Sequence, residues 1–193
     1  MKRFIALFLA LLIVCSFAGC KSEGKDGEGY SVDIQYYISV GQIKEAQFSL
    51  GTPIADIEKE ISKHSAEEHS GDGHDDSIVF VEGFDYNFYS TADFDYYYNP
   101  DKEDKGVSFI VGSADIYGFS VGQSGLYEVQ SALELEELKP VLGEAEEEEF
   151  FFSMVSLEGC KKLTCTFENK TLVFYFENDI LIAGVIFNDN WSI

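Results

Sequence analysis

Three histidines share one eleven-residue window, in Lys63-His64-Ser-Ala-Glu-Glu-His69-Ser-Gly-Asp72-Gly-His74-Asp75-Asp76. Imidazole interleaved with carboxylate suits Zn²⁺ or Ni²⁺ more than Ca²⁺, and His-rich tracts can bind metal. His64, His69, Asp72 and His74 are therefore a candidate zinc set. The spacing matches no rigid helical pair at i and i+4, and the glycines make a solvated loop the alternative. The calcium pattern D-x-[DN]-x-[DN]-G is absent. Elsewhere, Gly118-Phe-Ser120-Val-Gly122 fits the G-x-S-x-G nucleophile elbow. That elbow needs a histidine downstream of the serine, and all three histidines lie upstream. The serine recurs in Gln47-Phe-Ser49-Leu-Gly51, so it reads as part of a repeated corner whose hydroxyl caps the next helix or its turn. Glu144 and the run Glu146 to Glu149 offer paired acids of the kind glycoside hydrolysis uses, but in a chain with 35 acidic residues they read as a solvated link. Nothing joins a base to a nucleophile, and no catalytic role is expected.

The other chemistry belongs to cysteine. Met1-Lys2-Arg3 precedes an apolar run from Phe4 to Val14, the basic and hydrophobic regions of a signal peptide. The run is shorter than the roughly 20 residues a spanning helix needs. It closes in Ser16-Phe17-Ala18-Gly19-Cys20, which resembles the bacterial lipobox, with Phe17 in the usual leucine position. That resemblance implies cleavage before Cys20 and lipidation of its thiol; an ordinary signal peptide with an incidental Cys20 is the alternative. Two or three acyl chains on one residue anchor stably where one would not. The polar, glycine-rich stretch after Cys20 reads as a tether. Cys160 and Cys165 remain, and outside the cytoplasm leftover thiols usually pair, a redox or metal role being the alternative. A turn at Lys162-Leu163 would set residues 160 and 165 opposite each other on adjacent strands, within reach of a disulfide.

Removing residues 1–19 leaves 174 of 193 residues and takes the net charge from −22 to −24, because Lys2 and Arg3 leave with the leader. The mature chain has no arginine and eleven lysines. Nucleic-acid binding by counterion release is excluded on that balance, as is bidentate guanidinium capture of phosphate. An anionic membrane would repel the body, leaving the lipid to hold it. Seventeen Phe and eleven Tyr point to a folded, β-rich chain.

These residues must be positioned by something, and the sequence carries an internal echo. Ile38-Ser-Val40-Gly41, Phe48-Ser-Leu-Gly51 and the helical Ile54 to Ile61 are followed, seventy-one residues on, by Ile110-Val-Gly112, Phe119-Ser-Val-Gly122 and Leu126 to Leu133. Ile57 and Ile61, then Val129 and Leu133, lie four apart on one helical face. Leu181-Ile-Ala-Gly184 repeats the strand once more. Each unit reads as strand, corner, helix and about three antiparallel strands: 77–82, 84–89, 94–98 and 107–117, then 150–156, 163–168, 172–177 and 180–188. Turns are expected at 99–106, Asn169 and Asn178-Asp179.

The Phe-Ser-[Leu/Val]-Gly corner, the amphipathic helix (closing at Val141-Leu-Gly143 in the second unit) and the hairpin sheet resemble the tandem units of the β-lactamase inhibitor protein (BLIP-like) family and the BamE/SmpA lipoproteins. The first unit lacks the Leu-Gly at its helix end. The resemblance, over about residues 31–188, implies an α+β fold: two tandem units, each a helix layer on a small antiparallel sheet with its other face open. It implies lipidated or secreted proteins that bind proteins. The expected divisions are 1–19 signal peptide, 20–30 lipidated tether, 31–112 first unit and 113–193 second unit.

Period-two alternation puts Phe84, Tyr86 and Phe88 on one face, with Phe94, Tyr96 and Tyr98, and with Leu172, Phe174 and Phe176, as the core under the helices. The opposite face then shows Asp85, Asn87, Tyr89, Asp95, Tyr97 and Tyr175. Tyrosine on an exposed sheet face suits protein contacts, and the acids favour a basic partner patch. The expected function is a lipid-anchored extracytoplasmic module that binds another extracytoplasmic protein through this open face. The second expectation is a zinc-type metal-binding or sensing lipoprotein; no other cofactor is expected.

Overall fold

The computed structural model describes residues 33–67, 79–81, 86–101, 106–145, 157 and 159–189. Helix α1 (Ile34–Val40) starts where Asp33 accepts the Tyr36 amide at 2.8 Å and stops at Gly41. The φ of Gly41 is +72°, a left-handed conformation that glycine tolerates. The Gly41 and Gln42 amides fold back onto the carbonyls of Ile38 and Tyr37. The expected strand at residues 38–41 is therefore a capped helix, with Ile34 and Ile38 buried on one face. Helix α2 (Ile54–Glu67) buries Ile57, and helix α3 (Leu126–Leu135) buries Val129 and Leu133. Helix α3 ends before Pro140, and Val141-Leu-Gly143, expected as the helix end, lies instead in a strand.

The strands are β1 (Val79–Val81), β2 (Asn87–Ser90), β3 (Phe94–Tyr98), β4 (Phe109–Gly112), β5 (Asp115–Ile116), β6 (Phe119–Ser120), β7 (Val141–Glu144), β8 (Lys161–Phe167), β9 (Lys170–Glu177) and β10 (Ile180–Asn188). Strands β5 and β6 form a separate small hairpin. The other eight make one antiparallel sheet in the order β1-β2-β3-β4-β10-β9-β8-β7. This overturns the expected α+β arrangement of two tandem units, each with its own sheet. The fold is dominated by one continuous sheet, with three helices among the described residues. The boundary expected between 112 and 113 falls at the sheet's centre, where Gly112 pairs with Gly184 and Val111 with Val185. Strand β4, Phe109-Ile-Val-Gly112, is buried along its whole length. So apolar a strand cannot be the edge of a small sheet, and β10 covers its free side.

The echoed Phe-Ser-x-Gly segments are local corners. Gly51 (φ +77°) and Gly122 (φ +80°) each turn the chain before a helix. Their amides donate to the carbonyls of Val107 and Leu181, both at 2.8 Å. Ile116 of the hairpin sits over the central glycine pair; a Cβ on Gly184 would lie 2.9 Å from Ile116 Cδ1. Between the last three strands, Glu168, Asn178 and Asp179 take positive φ at the expected turns.

The sheet's middle strands β3, β4, β10 and β9 are buried on both sides. On the helix side Tyr96, Ile110, Leu172, Phe174, Phe176, Leu163 and Cys165 pack against Ile38, Ile57, Ile116, Phe119, Val129 and Leu133. On the far side Tyr97, Phe109, Val111, Val173, Tyr175 and Val185 form a second cluster with Leu157 and Cys160. The two cysteines thus belong to opposite faces, and both are buried free thiols. The expected disulfide is overturned because no turn interrupts residues 162–163. Strand β8 runs straight from Lys161 to Phe167, and an odd spacing of five sends the two side chains apart.

Candidate functional site

The six residues expected to share an exposed contact face are not brought together. Asp85 lies outside the described residues. Asn87 is half-buried, and its Nδ2 donates to Tyr98 Oη at 3.4 Å on the helix side. Tyr89 is buried on that same side; its hydroxyl donates to Glu58 Oε1 of α2 at 3.1 Å. Burial, with that neighbouring carboxylate second, holds the Tyr89 phenol far above its ordinary range.

Tyr97 and Tyr175 do lie on the opposite side, but at 6% and 3% exposure they are core. Tyr97 stacks between Phe88 and Phe109, with ring centroids 4.6 and 4.3 Å away. Asp95, half-buried beside it, has its carboxyl pushed up by burial, against a smaller opposing pull from Ser90. The far face is buried where these tyrosines lie, so the expected open tyrosine face is overturned. Strand β2 also reads one residue out of phase. Phe88 pairs with Tyr97 on the far side, and Tyr89 pairs with Tyr96 under the helices. With apolar side chains on both faces, alternation cannot tell which side meets water.

The other expected residues divide between described and undescribed segments. The backbone of His64 is in α2, while its side chain, His69, Asp72 and His74 lie outside the described residues, as does Cys20. Among the described residues no group of three or more His, Cys, Asp or Glu is arranged to hold a metal. The Ser120 hydroxyl does not cap α3; it donates to Asp115 Oδ1 at 2.7 Å across the β5–β6 hairpin. The Ser120 amide donates to Ser124 Oγ at 3.1 Å, closing the corner.

Apolar side chains are exposed on the described surface at the sheet's rim as well as on the helices. Among the described residues strand β7 is the last in the order and pairs only with β8, and its Val141 and Leu142 are 67% and 52% exposed. Gly143 contributes no side chain, so the outer backbone of β7 can be approached closely. The opposite edge is β1, where Phe80 is 48% exposed against the Tyr89 ring at 5.3 Å. Strand β7 went unseen because Val141-Leu-Gly143 continues the periodicity of α3; the proline at 140 was the available signal. Also unforeseen was Glu45, whose carboxylate accepts the amides of Tyr117 and Gly118 at 2.8 and 3.1 Å and ties the first corner to the hairpin.

Family models, curated proteins and solved structures return no match to this chain.

Proposed function

We propose that the chain is a non-catalytic, extracytoplasmic protein-binding module, held to a membrane by lipid on Cys20, which engages its partner through the β7 edge. The observation that carries this reading is an exposed apolar edge strand on a sheet whose middle strands are buried on both faces. An open edge invites strand addition, in which backbone hydrogen bonds give affinity and alternate side chains give specificity. The net charge of −22 favours a basic partner segment over a second copy of this chain. The lipid anchor rests on the Ser16-Phe17-Ala18-Gly19-Cys20 segment, and no helix among the described residues is long and apolar enough to cross a membrane.

The test is site-specific photo-crosslinking in intact cells, with the reactive residue at position 142 or, as reference, at position 80. A discrete crosslinked protein at 142, absent at 80 and lost on Val141→Lys, is the expected result. Val141→Lys should leave stability within about 0.5 kcal/mol, as exposed substitutions do. Equal crosslinking at both positions, or a crosslink indifferent to Val141→Lys, would remove the edge from the account.

A further inference from the structure

Helix α1 is the first described element after Cys20, and it differs in charge from the other two helices. A quarter of the 193 residues are charged, yet Ile34-Gln-Tyr-Tyr-Ile-Ser-Val40 contains no charge at all. With Ile34 and Ile38 turned into the core, Tyr36 and Val40 are left 56% and 41% exposed, four apart on the outward face. The Gln35 side-chain amide donates to the carbonyl of Glu136, which places the end of α3 beside the start of α1. That end carries Leu135, the most exposed large apolar side chain of the described residues at 85%. The end of α3 that carries Leu135 therefore lies beside the start of α1, near Tyr36, with Val40 at the helix's other end, about 9 Å along.

Only twelve residues, thirteen chain steps, separate Asp33 from Cys20. Fully extended they reach at most about 45 Å, so an acylated Cys20 keeps this end of the domain near the bilayer. Tyrosine with aliphatic neighbours is the composition found where protein meets headgroups. We propose that the outward face of α1, with Leu135, rests on the lipid surface that holds the anchor. The β7 edge is then presented from a domain in fixed orientation instead of one swinging freely. This inference rests on the lipidation of Cys20. Glu134, Glu136 and Glu137 border Leu135, so the contact suits zwitterionic headgroups and weakens as anionic lipid is added.

The test uses the full lipidated chain in phosphatidylcholine vesicles with brominated acyl chains, in a Trp191→Phe background. Acyl mass on Cys20 and flotation with the vesicles are measured first. A single tryptophan reporter is then placed by Tyr36→Trp or by Phe80→Trp. Phe80 lies on β1, five strand steps from β9, under α1, or about 24 Å away at ~4.8 Å per step. The Tyr36→Trp reporter should lose about half its intensity to the bromines, as expected for a face sunk roughly 5–10 Å into the headgroup boundary, and the Phe80→Trp reporter should lose none. Acylation and flotation without quenching at position 36, or with equal quenching at both positions, would overturn the docked orientation and leave the anchor standing. Absence of acylation at Cys20 would overturn both. A dimer of the unlipidated chain that shields position 36 without lipid would assign the face to a second copy and also end the proposal.

Discussion

The sheet is buried on both faces over its middle strands, but the two faces are built differently. On β8 the far side opens at Thr164 and Thr166. The helix side is covered by three helices and the β5–β6 hairpin, whose apolar residues pack on those of β2, β3, β4, β8, β9 and β10. The far side centres on stacked rings, Phe88 on Tyr97 on Phe109, with Leu157 and Cys160 against the sheet. The difference shows how a sheet loses its amphipathic signature. In β9, Lys170-Thr-Leu-Val-Phe-Tyr-Phe-Glu177, all six residues 171–176 are buried, so both alternating sets are core. A face that holds tyrosines need not be wet. What stays available on such a sheet is its rim.

The most severe way to break the comparison is to remove one large ring from each side. Phe109→Ala on the far face and Phe174→Ala on the helix face should each cost about 3–5 kcal/mol in chemical denaturation. A cost under about 1 kcal/mol for Phe109→Ala would mean that the far face is open after all.

The two thiols sharpen the contrast by pH. Burial pushes Cys165 up to about 12 from 9.0, while Cys160 is raised by burial and, secondarily, by Glu177. Above pH 9 the unfolded chain releases the Cys165 proton and the folded chain keeps it. This part of the stability is therefore intact below pH 9 and is lost as pH rises toward 12, by up to about 1.4 kcal/mol per unit. Urea midpoints measured from pH 8 to 11 should fall less steeply in Cys165→Ala than in the parent; parallel slopes would contradict the buried thiol.

A smaller effect belongs to the centre of the helix face. Gly184→Ala sets a Cβ 2.9 Å from Ile116 Cδ1 and should cost about 1–3 kcal/mol. Ile116→Val removes that methyl and should restore part of the loss in the double variant, as thermal melts would show. The mildest change is at the first corner. Glu45→Ala leaves the Tyr117 and Gly118 amides without their carboxylate and should cost about 1–2 kcal/mol, with no effect on the far-face rings.

Much of this was readable in the residues. The Asn169 and Asn178-Asp179 turns delimit β8 to β10, Phe94–Tyr98 is a strand as its alternation predicts, and the recurring Phe-Ser-x-Gly does mark two like corners. Three things were not readable. Local pattern cannot say whether β4 ends a small sheet or pairs onward, because that depends on β10, some seventy residues later. The Ile38-to-Gly41 segment resembles the central strands in sequence, yet Asp33 and Gly41 cap it as a helix. The proposed contact strand β7 was hidden because its apolar residues continue a helical period.

Tyrosine nitration with tetranitromethane, mapped residue by residue on the native chain, tests the closed sheet most directly. Tyr127 and Tyr36, 81% and 56% exposed, should be modified, while Tyr97 and Tyr175 stay intact until the chain unfolds. Native-state nitration of Tyr97 or Tyr175 as fast as that of Tyr127 would show that the far face is open.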